Sequence, residues 1–142
     1  MIPAIASVLG LLAAAVLAAR RLLMVTTVDG TSMEPTLRSG DRVLIRRTHR
    51  PRRGQVVLMR FPDRPGRPPD PQLLLKRVVA VDGDHVPGDW ARPDTRAIGG
   101  ATVPAGHAVV LGDNRPTSWD SRHFGFVPRD RVLGVMVRPL GR

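Results

Sequence analysis

The stretch QLLLKRVV, residues 72–79, combines aliphatic side chains with one lysine and has the length of a β-strand. Successive side chains of a strand point to opposite faces, so Leu74, Lys76 and Val78 share one face. An ammonium group among apolar neighbours loses hydration, so its pKa falls and the neutral amine becomes populated near neutral pH. Arginine cannot do this, because its guanidinium stays protonated in proteins. The stretch therefore predicts a strand that carries a deprotonatable amine.

Composition alone leaves the meaning of that lysine open. Lys76 is the one lysine among 22 basic residues, and Glu34 is the one glutamate among 12 acidic residues. With abundant alanine, glycine and proline, this skew is typical of a G+C-rich genome, so one lysine could also survive at a strand edge by chance.

The net charge of +10 is compatible with nucleic acid, an anionic membrane surface or acidic partners. Aromatic residues make up only 4% of the chain, tyrosine is absent, and no nucleic-acid-binding signature occurs. We therefore expect no nucleic-acid partner, and favour a basic surface against anionic lipid headgroups. The absence of cysteine excludes disulfides and thiolate catalysis, and suits a domain outside the cytoplasm.

After residue 21 the apolar segments are short, rich in valine, leucine and isoleucine, and separated by turn signals. The predicted strands are Leu22–Val28, Arg42–Arg46, Gln55–Phe61, Gln72–Val81, His107–Leu111 and Val132–Val137. They predict a mostly β body, a small folded-sheet or barrel-like domain. The proline-rich Pro62–Pro71 predicts a hairpin tip or an extended surface loop.

Residues 2–19, IPAIASVLGLLAAAVLAA, carry no charge and would form a helix roughly 27 Å long, about the thickness of a bilayer core. We expect a transmembrane anchor over residues 1–21 and one β-rich domain over 22–142. A cleavable signal peptide and a buried soluble helix are the alternatives. Arg20 and Arg21 follow the apolar run, and by charge alone this places the rest of the chain inside the cell.

Ser32 is a candidate nucleophile, because it lies in DGTSMEPTL, residues 29–37, directly after an apolar strand. Gly30 permits backbone angles that other residues rarely adopt, so the turn can present the serine hydroxyl outward with its N–H free to donate. An ordinary Ser/Thr-rich turn or a helix cap is the alternative. A serine activated by a neutral lysine, here Lys76, is a recognised variant of the catalytic triad.

A third segment, GDNRPTSWDSRHFG at residues 112–125, is dense in turn-forming residues. If it is extended, Ser118, Asp120 and Arg122 project the same way, and the carboxylate–guanidinium pair would hold the lysine and the loop in place. A surface ion pair of little consequence is the alternative. The four histidines offer no triad order or metal spacing, and His123 is the one that lies within this segment.

Three blocks in this order resemble type I signal peptidases, the Ser/Lys membrane proteases that remove signal peptides from exported proteins. They are GTSMEPTL at 30–37 with Gly40-Asp41, KRVV at 76–79 with Gly83-Asp84, and the segment 112–125. GQVV at 54–57 also resembles the strand that this family has between its serine and lysine blocks. The resemblance covers nearly the whole chain after residue 21.

The resemblance implies a role for each matching residue. Ser32 would be the nucleophile and Lys76 the general base, with Ser118 hydrogen-bonded to the lysine. Asp120 and Arg122 would form a supporting ion pair near the site. No metal and no cofactor is implied.

The resemblance also implies an oxyanion donor, a substrate and a location. The Ser32 N–H would be the donor, and Gly30 stands where some members carry a second, hydroxyl donor. Exported precursor proteins would bind as an extended chain, with small side chains such as alanine at the first and third positions before the cut. The chain would be a single-pass protein of the cytoplasmic (inner) membrane, with its catalytic domain on the extracytoplasmic side, despite the charges that follow the apolar run.

Three alternatives stay open at this point: a peptidase with one dedicated client, a self-cleaving repressor, and a non-enzymatic membrane-anchored β module. The apolar segment and the lack of a DNA-binding domain disfavour the repressor. The intact pair of Ser32 and Lys76 disfavours the non-enzymatic module. The sequence does not indicate an oligomeric state.

Overall fold

The fold is known from a computed structural model that describes residues 2–60, 73–90 and 98–141. It begins with helix α1 (Ile2–Leu22), and a second, four-residue helix, α2 (Ser121–Phe124), follows the fifth strand. The strands are β1 (Leu23–Thr27), β2 (Arg42–Arg47), β3 (Val56–Arg60), β4 (Leu73–Val81), β5 (His107–Leu111), β6 (Val127–Pro128) and β7 (Val132–Gly141).

The seven strands form one sheet in the order β1-β2-β7-β3-β4-β5-β6, and every neighbouring pair is antiparallel. The last strand in the sequence therefore lies inside the sheet, between β2 and β3. The mostly β body and the six predicted strands are confirmed, and β7 continues four residues beyond its predicted end. The loop predicted over Pro62–Pro71, with Phe61 and Gln72 at the predicted strand ends, lies outside the described residues.

Apolar side chains on the sheet and its loops form three buried clusters. The first packs the segment after β1 onto the sheet and consists of Val28, Met33, Leu37, Val43, Ile45, Val56, Leu58 and Leu75. The second covers the other face of β3 and β4 and consists of Val57, Met59, Val78, Ala108, Val110, Val127, Val132 and Val135. The third lies under the turns that follow β4 and consists of Ala80, Val86, Ile98, Val103 and Val109.

The helix expected at the start of the chain is present as α1, with exposed apolar side chains such as Leu11, which is 72% exposed. In the part of the chain that the structure describes, no helix is both long enough and apolar enough to cross a membrane.

Candidate active site

Ser32 lies in a turn after β1, on a segment that two buried side chains fix to the core. Met33 and Leu37 are each 1% exposed, and the Leu37 N–H donates to the Met33 carbonyl at 2.9 Å. Gly30 has a φ of +83°, a left-handed conformation that favours glycine. The predicted turn is confirmed, and Gly30 shapes it through its backbone.

Lys76 lies in the middle of β4 and faces the second apolar cluster. It is paired across the sheet with Val57, and it shares its face with Leu74 and Val78 of the same cluster. Lys76 is only 2% exposed, and its Nζ lies 2.6 Å from Ser32 Oγ. Burial lowers the pKa of Lys76 below the usual range of lysine, although the negative charge of Asp120 acts in the opposite direction. The predicted apolar setting and the pairing with the serine are both present.

Asp120 is fully buried and ties the segment 112–125 together. Its carboxylate accepts hydrogen bonds from Arg122 Nε at 2.9 Å and from the Gly112 N–H at 3.0 Å. Burial would raise the pKa of Asp120, but hydrogen bonds from Arg122 and Gly112 and the nearby Ser118 hydroxyl hold it below its usual range. Asp120 therefore stays ionised in the interior, which explains why it raises the pKa of Lys76.

The backbone is extended at Ser118 and at Asp120, but not beyond, because Asp120 caps a helix that begins at Ser121. Its side chain accepts from the Arg122 N–H, and its own N–H donates to His123 Nδ1 at 3.3 Å, which forms a capping box at the start of α2. The ion pair of Asp120 and Arg122 still forms, between residues two apart on the first turn of the helix.

Ser118 is buried and packs closely on Gly112. A Cβ on Gly112 would collide with the Ser118 side chain and come within 2.5 Å of the Ser32 carbonyl oxygen. Ser118 Oγ lies near the Asp120 carboxylate, yet it forms no hydrogen bond of regular geometry with any described residue. The hydrogen bond predicted from Ser118 to Lys76 is therefore not formed.

A second ion pair next to the site was not assigned from the sequence. Arg77 donates from Nε and Nη2 to both carboxylate oxygens of Asp113, at 2.8 and 2.7 Å. Thr36 Oγ1 donates to the same carboxylate at 2.6 Å, and Arg77 Nη1 donates to the Gly54 carbonyl. The hydrogen bonds hold the pKa of Asp113 below its usual range. This network joins the turn of the serine, the strand of the lysine and the segment 112–125.

Asn114 adds a second connection between the same segments. Its N–H donates to the Ser32 carbonyl at 3.0 Å, and its side-chain amide donates to the Thr31 carbonyl at 3.1 Å. Asn114, Thr31 and Ser32 all lie within the sequence blocks quoted above. Their spacing along the chain does not predict contacts between residues that are 83 positions apart.

His123 contributes to the helix cap, and its ring stacks on Trp119 at a centroid distance of 6.0 Å. No hydrogen bond or ion pair joins it to Ser32 or Lys76 in the described residues. Over the same part of the chain, no three His, Asp or Glu side chains are grouped so that they could hold a metal ion.

A cleft opens beside Ser32, between the end of β1 and the start of β4, and its cavity measures about 60 Å³. It is lined by Thr26, Thr27, Val28, Asp29, Ser32, Met33, Leu58, Leu73, Leu74 and Leu75. The first residues of β4 pair with β3 on one side only, because the pairing with β5 begins at Arg77. Within residues 2–60, 73–90 and 98–141, a strand edge is thus free next to the serine.

A serine hydroxyl bonded to a buried amine beside an open cleft is the arrangement of a serine hydrolase that uses lysine as its base. The chain matches the family model described as signal peptidase, peptidase S26, over residues 1–89 and 88–140. It belongs to that family and is therefore a serine endopeptidase.

Individual relatives agree with this assignment. The chain is 34% identical over 144 residues to signal peptidase I V of Bacillus subtilis, covering 77% of this chain and 80% of the relative. It is 33% identical over 126 residues to a probable signal peptidase I-2 of Synechocystis sp., covering 75% and 58%. A mitochondrial ATP-independent inner membrane protease subunit 1b of Arabidopsis thaliana is 37% identical over 112 residues, with 74% and 62% covered. The chain thus spans between about three fifths and four fifths of these relatives.

Proposed function

We propose that this chain removes signal peptides or N-terminal propeptides from exported proteins, with Ser32 as nucleophile and Lys76 as general base. One observation carries the proposal: the 2.6 Å contact between Ser32 Oγ and the Nζ of a lysine that is 2% exposed. The segment 112–125 would act by positioning these two groups.

The proposed reaction is acyl transfer. Neutral Lys76 accepts the Ser32 proton while Oγ attacks the scissile carbonyl, and the resulting ammonium returns the proton to the leaving amine. A water molecule, deprotonated by the same amine, then hydrolyses the ester and frees Ser32. Lowering of the lysine pKa by burial supports this role, because only the unprotonated amine can act as a base.

The Ser32 N–H is the proposed donor to the developing oxyanion. The hydrogen bonds from Asn114 to the carbonyls of Thr31 and Ser32 orient this stretch of backbone. Gly30 offers no side chain to serve as a second donor, so this stabilisation comes from the backbone alone or from another donor.

The cleft supports an extended substrate with small side chains. A peptide can add to the free edge of Leu73–Leu75 by main-chain hydrogen bonds, while alternate side chains enter the cleft. A cavity of about 60 Å³ suits a side chain as small as that of alanine. We therefore infer that precursors with small residues before the cut are the preferred substrates.

We further propose that residues 1–21 attach the chain to the inner membrane and that residues 22–142 form the catalytic domain on the extracytoplasmic side. A helix that is apolar on all sides is expected to be covered by lipid or protein, and the side chains of Leu9, Leu11 and Leu17 are 61, 72 and 59% exposed. A reporter fused after Arg142 tests the side of the membrane, and cytoplasmic reporter activity would contradict the proposal.

The decisive experiment compares the wild type with Ser32→Ala, Lys76→Ala and Lys76→Arg in non-ionic detergent, using a secretory precursor with alanine at the first and third positions before the cut. We expect loss of cleavage in all three variants, because arginine cannot lose its proton. Normal cleavage by Lys76→Arg would exclude the lysine as the base. Cleavage of one exported protein alone, with generic precursors ignored, would indicate a dedicated client.

A further inference from the structure

A second cavity lies at the junction of helix α1 with the sheet. It is an open groove of about 390 Å³ between the end of the helix and strands β1 and β2. Its lining is Val16, Ala19, Arg20, Leu23, Met24, Val25 and Leu44. Val25 is 46% exposed there, so the groove presents apolar surface to its surroundings.

Positive charge borders this apolar groove without compensation. Strand pairing sets Arg46 directly opposite Leu23 and Arg138 opposite Leu44, so both arginines stand beside groove residues. Strands β1, β2 and β7 contain no aspartate or glutamate. In the described part of the chain, Arg20, Arg46 and Arg138 form no ion pair with a carboxylate.

We propose that this groove binds an anionic phospholipid, with its phosphate between Arg20 and Arg46 and the start of an acyl chain against Leu23, Val25 and Leu44. The combination of an apolar floor and a cationic border matches a molecule that joins a negative phosphate to a hydrocarbon chain. A zwitterionic lipid carries a compensating ammonium group and gains less from the arginines. The inference rests on the membrane attachment proposed above and names its lipid partner.

The groove and the cleft of the serine share one strand. Leu23 of β1 lines the groove and Thr27 of the same strand lines the cleft. Four residues of extended chain span roughly 13 Å. A phospholipid in the groove would therefore hold the cleft close to the headgroup layer, where the cleavage point of a membrane-inserted signal peptide emerges.

The test is native mass spectrometry of the full chain in neutral non-ionic detergent, titrated with phosphatidylglycerol or with phosphatidylcholine of the same acyl chains. We expect phosphatidylglycerol to bind at least tenfold more tightly. The double variant Arg20→Gln/Arg46→Gln should weaken phosphatidylglycerol binding about tenfold and leave phosphatidylcholine binding unchanged. Val25→Glu, which places a carboxylate in the groove, should weaken it as well.

The matched control is Arg52→Gln/Arg53→Gln, which removes the same charge elsewhere. Arg53 pairs with Asp84 after β4, and β4 lies four strands from β1, so this site is remote from the groove. Equal binding of the two lipids, or an equal loss in the control, would overturn the inference. Displacement of the lipid by glycerol 3-phosphate at similar concentration would also overturn it, since the site would then recognise free phosphate alone.

Peptide cleavage by the same variants in lipid-free detergent separates this inference from the proposed catalytic function. A wild type that cleaves the precursor but binds phosphatidylglycerol no more tightly than phosphatidylcholine would refute the lipid site alone. Selective lipid binding by a wild type that cleaves no precursor would refute the catalytic proposal alone.

Discussion

The segment 112–125 and the turns that follow β4 both use carboxylate–guanidinium pairs, but in opposite surroundings. In the first, the side chains of Asp120 and Arg122 are 0 and 15% exposed. In the second, Arg53 pairs with Asp84, and their side chains are 63 and 24% exposed. Arg129 pairs with Asp82, and each of these side chains is 32% exposed. Water screens the second group, whereas removal of one partner from the first leaves an uncompensated charge in the interior. We therefore expect the pairing to stabilise the proposed active site in one region and to contribute little in the other.

The largest expected difference between the two regions is in stability. Asp120→Ala leaves Arg122 and the Gly112 N–H without their acceptor, and should lower the free energy of unfolding by about 3–5 kcal/mol. Asp84→Ala, in the exposed region, removes a screened ion pair and one turn hydrogen bond from the Val81 N–H, and should cost no more than about 1 kcal/mol. Urea denaturation of the full chain in detergent measures both, and similar losses in the two variants would remove the basis of the comparison.

Backbone crowding provides a second difference. Gly112→Ala puts a Cβ against Ser118 and within 2.5 Å of the Ser32 carbonyl oxygen, so the nucleophile must move. A shift of about 1 Å costs on the order of 100-fold in rate, which we expect in kcat for peptide cleavage. Gly88→Ala meets no atom within 4 Å and serves as the control, with unchanged kcat. A fully active Gly112→Ala enzyme would show that this close packing does not position Ser32.

Two adjacent basic residues should respond to substitution with opposite signs. The folded chain binds a proton at Lys76 less readily than the unfolded chain, so stability rises with pH from the lowered pKa towards the ordinary lysine range. Lys76→Met should therefore abolish cleavage yet raise stability at pH 7 by about 1–2 kcal/mol, with a gain that shrinks as pH rises. Arg77→Met should lower stability, because it leaves Asp113 unpaired. Thermal unfolding at several pH values measures the stability of both variants. A destabilised Lys76→Met variant would contradict the inference that burial of the Lys76 amine costs stability.

The smallest expected effect is a shift in the pH profile. Cleavage should increase with pH as Lys76 loses its proton, because the neutral amine is the base. The charge of Asp120 raises the pKa of Lys76. Asp120→Asn should therefore move the rising limb of the plot of kcat/KM against pH to lower pH. Asp84→Asn should leave the limb in place. A limb that moves upward in Asp120→Asn would mean that Asp120 does not act on the lysine through its charge.

Much of the fold was predictable because it depends on local pattern. The alternation around Lys76 and the short apolar runs between turn signals define the strands, and the sheet confirms them. Helix α2 was missed because four residues carry no periodic signal, and its start depends on reciprocal hydrogen bonds between Asp120 and His123.

The site was predictable where unusual residues mark it, and unpredictable where contacts join distant segments. Ser32 and Lys76 stand out by residue type and setting, and the structure brings them together. The network of Thr36, Arg77 and Asp113 joins residues up to 77 positions apart, a proximity that only the sheet order creates. Ser118 Oγ forms no hydrogen bond with Lys76, and the Ser118 side chain packs on Gly112. The catalytic roles, the domain boundary at residue 21 and the side of the membrane stay predictions.

The position of β7 bears on how the enzyme is made. This strand, the last in sequence, separates β2 from β3 in the sheet, so a chain synthesised only as far as residue 131 leaves both of those strands with an open edge. Such a nascent chain already contains Ser32, Lys76 and Asp120 but cannot complete the sheet that holds them together. Pairing between strands so far apart in sequence is expected to form later than local structure. Assembly of Ser32 and Lys76 into one site should therefore depend on β7, which joins the two halves of the sheet.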